Sequence, residues 1–208
     1  MKTMLVYDTE TTGLPNWKLP SEDPSQPHIT QIAAQLCDEE SGDVLAGLNV
    51  MIRPAGWTIP EDLEKLTGIT TEKATRYGVP LNSALASFIE LWEMADFRVG
   101  HNESFDARML RIELHRDDLG DETLNDRWKA GKAFCTANAS TKILALPPTA
   151  KMLAAGFNKP KLPNLSEAYR HFTGLDLSGA HNAAVDLEGC KAVYFGIRAH
   201  NAKLAGAA

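Results

Sequence analysis

Hydrophobic and polar positions along the chain change period several times, and the changes outline its elements. Met4 to Thr9 is apolar and then alternates, the pattern of a strand. Ile29 to Asp38 and Val44 to Arg53 repeat it as two more strands. Glu39 to Asp43 joins these two, with Gly42 supplying turn freedom. Gly13 to His28 carries Pro15, Pro20, Pro24 and Pro27 and reads as a loop. The first fifty residues therefore predict a three-strand meander.

The period then lengthens. The stretch "IPEDLEKLTGI" predicts a short helix stopped near Gly68. Pro80 opens a second helix in which Leu81, Leu85, Phe88, Ile89 and Trp92 form an apolar stripe. "DFRVG" is a brief strand. In "SFDARMLRIELHR", Phe105, Met109 and Ile112 share one helix face, as do Leu110 and Leu114. Asp117 to Lys132 is polar and gives no clear period. "AFCTA" predicts a strand and "ASTKILAL" a helix. Pro147 to Pro163 reads as a loop-rich insertion with Lys151, Lys159 and Lys161. "LSEAYRHFTG" is a helix with Ser166 as its cap and Gly174 as its stop. A last helix runs from Asn182 to about His200, followed by an Ala-rich tail, residues 201–208, expected to fray. A meander followed by alternating helices and strands predicts an α/β sandwich around a mixed sheet, with residues 1–200 as one domain.

Composition agrees. With 208 residues, 44% of them hydrophobic, the chain is long enough to bury a core without disulfides or structural metals. Cys37, Cys135 and Cys190 are far apart and form no CxxC pair, so they read as reduced core thiols of a cytoplasmic protein. The apolar run at the start is too short for a secretory signal, and no run reaches a membrane span, so no membrane partner is expected. A net charge of −6 argues against a passive nucleic-acid coat, which would be basic. It argues less against an enzyme whose acids hold cations, because bound metals reverse the local field.

Candidate chemistry gathers in three short segments. In "DTETTGL", Asp8 and Glu10 are two apart on a strand and so point to the same side, at the strand end where α/β sheets place ligands. Two carboxylates there repel unless a cation lies between them; an alternative is a strand end turning harmlessly into solvent. In "HNESFD", Asp106 falls in a first helical turn, where an acid also suits the helix dipole for purely structural reasons. In "HNAAVD", His181 and Asp186 would stand about 140° apart on a continuous helix. If Asn182 caps the helix, His181 lies on the preceding loop and the two can converge; otherwise both are ordinary helix-start residues.

Taken together and in order, "DTETTGL", "HNESFD" and "HNAAVD" resemble the three motifs of the DEDDh, or DnaQ-like, family of 3′–5′ exonucleases. That family includes the proofreading epsilon subunit of bacterial DNA polymerase III and ribonuclease T. The resemblance runs from residue 4 to about residue 197, and "KLPNLSEAYRHFTGL" resembles the family's Leu-rich helix. The Lys151 to Pro163 insertion and "DLEGC" after the third motif fit the family less closely, which leaves the substrate open.

The resemblance implies a ribonuclease H-like fold with a five-stranded mixed sheet. It implies two divalent cations, Mg²⁺ or Mn²⁺, on Asp8, Glu10, Asp106 and Asp186, with Asp8 bridging, and His181 as general base. An imidazole's ordinary pKa of about 6.5 suits that task. Thr11, Thr12, Gly13 and Leu14 are implied to cradle the terminal nucleotide, with Thr11 at the sugar and Leu14 wedged between bases. His101, Asn102 and Phe105 are expected to line the same pocket, although Phe105 also reads as core. Single-stranded DNA or RNA 3′ ends are the implied partners, with a polymerase subunit as a further one. The three lysines of the insertion read either as phosphate guides or as a solvated loop. Trp17 is a lesser candidate for stacking on a base. A noncatalytic binding module and a hydrolase of small phosphodiesters are the alternatives.

Overall fold

The opening meander forms half of the sheet. In the computed structural model, which describes residues 1–117 and 122–206, β1 (Thr3–Thr11) pairs antiparallel with β2 (Ile29–Asp38), and β2 with β3 (Val44–Met51). Two parallel strands complete it: β4 (Phe97–Gly100) lies beside β1, and β5 (Ala133–Cys135) beside β4. The order β3-β2-β1-β4-β5 puts β1 at the centre.

Strand alternation divides the central strand between two cores. Leu5 and Tyr7 face a layer built from α3 (Leu81–Glu93), α4 (Ser104–Arg116) and α5 (Glu122–Ala130). There Tyr7, Phe88 and Trp128 meet edge to face at 5.6–5.9 Å, and Trp92 reaches Trp128 at 5.1 Å. Met4 and Val6 face the opposite layer, where α9 (Ala183–Gly206) supplies Leu187, Cys190 and Tyr194. Each fully buried side chain of this size contributes roughly 1.5–3 kcal/mol. Asp8 and Glu10 continue the even-numbered series and so emerge toward α9, just beyond its core contacts.

Several elements depart from the pattern. An additional helix, α2 (Thr71–Tyr77), follows α1 (Glu61–Thr67), and the Thr70 hydroxyl caps it by accepting from Lys73 N–H. The polar middle contains α5, whose Leu124, Asn125 and Trp128 are buried. β5 is three residues long because α6 (Thr136–Leu144) begins at once. The insertion contains a single-turn helix, α7 (Ala150–Ala154), capped by Thr149. α8 (Leu165–Thr173) is capped by Asn164 rather than Ser166, in a reciprocal capping box with Glu167, because Asn164 is three residues ahead of a glutamate that can reach back. α9 continues to Gly206, past the predicted end near His200, while residues 207–208 lie outside the described set. It packs on α8 through Gly196, where a Cβ would sit 2.5 Å from Phe172. Cys37 and Cys190 are buried as expected, whereas Cys135 is half-buried. Among the described residues, no helix is long and apolar enough to cross a membrane.

Candidate active site

The end of β1 gathers acids from three elements. Asp8 and Glu10 project from the strand, and Asp186 arrives from the first turn of α9. One carboxylate oxygen of each lies within 4.8 Å of the others. The approach of α9 is fixed by Gln31, which sits opposite Glu10 on β2 and accepts the Ala183 N–H at 3.1 Å. Gln31 is held in turn by Asn49 of β3 at 2.8 Å. Asn182 caps the helix: its side chain accepts from Ala184 N–H and its carbonyl from Asp186 N–H. His181 therefore stands on the loop before the helix, exposed, in the left-handed conformation at φ 67°. Its backbone N–H donates to Asp186 Oδ2 at 3.0 Å.

Asp106 joins from the opposite helix layer. β1 and β4 are paired only as far as Val6 and Val99, and the next stretch of β1 needs another acceptor. Asp106 Oδ1 supplies it, accepting the Thr9 N–H at 3.0 Å and the Thr9 hydroxyl at 2.7 Å. A tight start to α4 brings it there: a Cβ on Gly100 would meet Glu103 at 3.2 Å. Glu103 is buried, accepting from Tyr7 Oη at 2.8 Å and Arg98 Nε at 2.5 Å.

Protein contacts alone leave these acids poorly compensated. Burial, then Asp106, Asp186 and Glu10, hold the Asp8 carboxyl well above the usual carboxylate range. Burial, then Asp186 and Asp106, push Glu10 to about 7. Burial raises Asp106 to about 7 against the opposing Thr9 bonds. Asp186 is raised too, by burial, less the pull of His181. Its Oδ1 is buried with no hydrogen-bond partner among the described residues. An orphaned buried oxygen within a ring of carboxylates fits a hard divalent cation, which takes oxygen ligands.

The loop after β1 lies beside this cluster. Thr12 N–H donates to the His28 carbonyl, and Thr12 Oγ1 accepts from His28 N–H, both at 2.8 Å. Thr11 Oγ1 donates to Gly13 O at 2.9 Å. These bonds hold Leu14 outward, 84% exposed. Asn102 is exposed at φ 61°, and Phe105 is half-buried against the main core. His101, half-buried, is tied into the protein through its ring. Its Nδ1 meets Thr136 Oγ1 at 2.9 Å and its Nε2 meets the Pro163 carbonyl at 3.0 Å, so both ring nitrogens are engaged within the protein.

Thr9 and Gln31, which no motif role covers, hold Asp106 and the start of α9 in place. Thr9 had a visible signal: it lies between two same-side acids and so must point the other way. Gln31 had none beyond its position on β2.

A family model described as Exonuclease (RNase_T) matches residues 5–194. None of the curated proteins matches the chain in sequence. Among solved structures, E. coli exonuclease I bound to a dT13 oligonucleotide aligns with a TM-score of 0.75 and 20% identity, covering 98% of this chain and 42% of that one. Its complex with a dA16 oligonucleotide gives 0.72 and 20%, over 96% and 41%. A product-bound exonuclease I gives 0.69 and 19%, over 98% and 45%. The chain thus spans less than half the length of the solved chains it matches, and at this identity the likeness is one of fold: the ribonuclease H-like mixed sheet of five strands.

Proposed function

The chain belongs to the exonuclease family, and from that premise we propose that it is a metal-dependent 3′–5′ exonuclease releasing 5′-nucleoside monophosphates from single-stranded DNA ends. The observation that carries this reading is the convergence of Asp8, Glu10 and Asp186, one carboxylate oxygen of each within 4.8 Å of the others, together with an Asp186 Oδ1 that has no hydrogen-bond partner among the described residues.

Asp8, Glu10 and Asp186 would hold one divalent cation, Mg²⁺ or Mn²⁺, and Asp8 with Asp106 a second. Two such ions supply Lewis-acid stabilisation of the attacking and leaving oxygens in an in-line displacement at phosphorus. The remaining work falls to the chain. A ring nitrogen of His181 accepts the proton of the attacking water, and its exposed loop position leaves that nitrogen open to solvent. The Asp186 carboxylate fixes the loop through the His181 N–H. Thr9 orients Asp106 with two hydrogen bonds. Leu14, held out by the Thr11 and Thr12 turn, is the apolar surface on which the terminal base is parted from its neighbour, with Gly13 allowing the backbone close to the sugar. Asn102 and Phe105 flank the same end of the sheet.

The test is to incubate matched single-stranded DNA and RNA oligomers with the protein in Mg²⁺, Mn²⁺ or EDTA, beside Asp8→Ala. The expected result is stepwise release of 5′-monophosphates from the 3′ end, absent in EDTA and in the variant. The DNA-to-RNA rate ratio assigns the substrate, with faster RNA release making this an RNA-trimming enzyme. No release from either polymer by the folded protein would overturn the reading and favour a binding module.

A further inference from the structure

On the outer side of α4 lies a cleft of about 420 Å³ lined by Trp17, Ser104, Arg108, Arg111, Trp128 and Lys129. In a chain of net charge −6, three cationic side chains converge here. The nearby carboxylate of Glu103 is already taken by Arg98 and Tyr7. Lys129 has only a loose, exposed pairing with Asp126 at 3.6 Å. Arg108 and Arg111 each spend one terminal nitrogen on the proline-rich loop, at Leu19 O and Ser21 Oγ. The Nε of each is buried without a hydrogen-bond partner among the described residues. Trp17 is 60% exposed and stands over this charge, with the Arg108 guanidinium 6.0 Å from its ring.

The loop after β1 links the cleft to the proposed active site. Trp17 is three residues from Leu14 on that loop, within about 10 Å of it, while Arg108 stands on the side of α4 turned away from Asp106. We infer that this cleft binds the single strand on the 5′ side of the scissile bond, with a base stacked on Trp17 and phosphates held by Arg108, Arg111 and Lys129. The chemistry is that of nonspecific single-strand binding: an aromatic platform beside a cationic track, tolerant of sequence. This inference rests on the exonuclease reading for the direction of the strand, but the cleft can be tested without catalysis.

Anisotropy in EDTA would measure the Kd of a labelled oligothymidylate about a dozen nucleotides long for wild type, Trp17→Ala and Lys129→Gln, over a range of salt. Trp17→Ala should weaken binding about tenfold, the scale of one lost stack. Lys129→Gln should reduce the slope of log K against log salt by about 0.7, one phosphate contact on a single strand. An oligomer abasic along its 5′ portion should bind wild type about as weakly as the intact oligomer binds Trp17→Ala. With Mg²⁺, turnover of the small ester thymidine 5′-monophosphate p-nitrophenyl ester should be unchanged in both variants, because it ends short of the cleft. Equal Kd and salt slope in all three proteins, no binding by wild type, or equal displacement by a polyglutamate peptide would overturn the inference. Loss of ester and polymer hydrolysis in wild type with the binding differences intact would instead sink the exonuclease reading and leave the cleft.

Discussion

Two segments of the chain share the spacing His-Asn-x-x-x-Asp, His101 to Asp106 and His181 to Asp186, and the fold uses them in opposite ways. Both precede helices, and each has one left-handed residue at the turn, Asn102 in the first and His181 in the second. In the first segment the imidazole and one carboxylate oxygen are committed to the protein. The His101 ring is bound to Thr136 and Pro163, and Asp106 is bound twice by Thr9. In the second, the ring makes no hydrogen bond among the described residues and Asp186 Oδ1 has no partner. The same six-residue spacing thus yields an imidazole bonded within the protein in one place and an exposed one in the other. What separates them is the tertiary surroundings: His101 is enclosed between β4, α6 and the end of the insertion, while His181 faces solvent.

Substituting the two histidines is the sharpest way to break that contrast. His181→Ala should lower kcat about 10²–10⁴-fold, the usual worth of a general base, with thermal stability unchanged. Steady-state hydrolysis and a melting curve would check both halves. Thr9→Val comes next. It removes the hydroxyl bond to Asp106 but keeps the backbone one, and should weaken metal activation about 10–100-fold, as for other residues that orient ligands. A Mg²⁺ titration of activity reads it directly. His101→Ala should do the reverse of His181→Ala. Leaving the Pro163 carbonyl and Thr136 without their partner should cost about 1–3 kcal/mol of stability, with kcat of the folded protein near wild type.

The smallest effect concerns pH. Glu10 and Asp106 bind protons more tightly in the metal-free fold than in the unfolded chain, at about 7 against ordinary values of 4.5 and 3.8. Their contribution to stability is therefore full below the ordinary values and lost as pH rises through about 7. In EDTA, Tm should fall by several degrees between pH 5 and pH 8. Mg²⁺ should restore it at pH 8 and do little at pH 5. Glu10→Gln should flatten the EDTA profile.

Strand and helix periodicity made most of this fold legible. The meander, the stripe of α3 and the faces of α4 stand where their patterns put them, because each buries one side and the pattern records which. α2 was lost for want of an apolar run, although Thr70 carried a capping signal. α5 was obscured because its buried face includes Asn125, so polarity concealed the period. At the site, the parity of Asp8 and Glu10 was readable from alternation alone, and the conditional placement of His181 on a loop follows from Asn182 as cap. The hydrogen-bond partners of His101 were not readable, since they lie 35 and 62 residues away. No local pattern encodes such distances. The cationic cleft escaped for the same reason, being assembled from a loop and two helices.

The central claim is that the crowded carboxylates form a cation site. Calorimetric titration of the folded protein with Mn²⁺ at pH 8 tests it most directly, with Asp186→Asn as comparison. The account predicts saturable binding accompanied by proton release in the wild type, and weaker binding in the variant. Absence of saturable binding in the wild type, or identical isotherms for the two proteins, would contradict it.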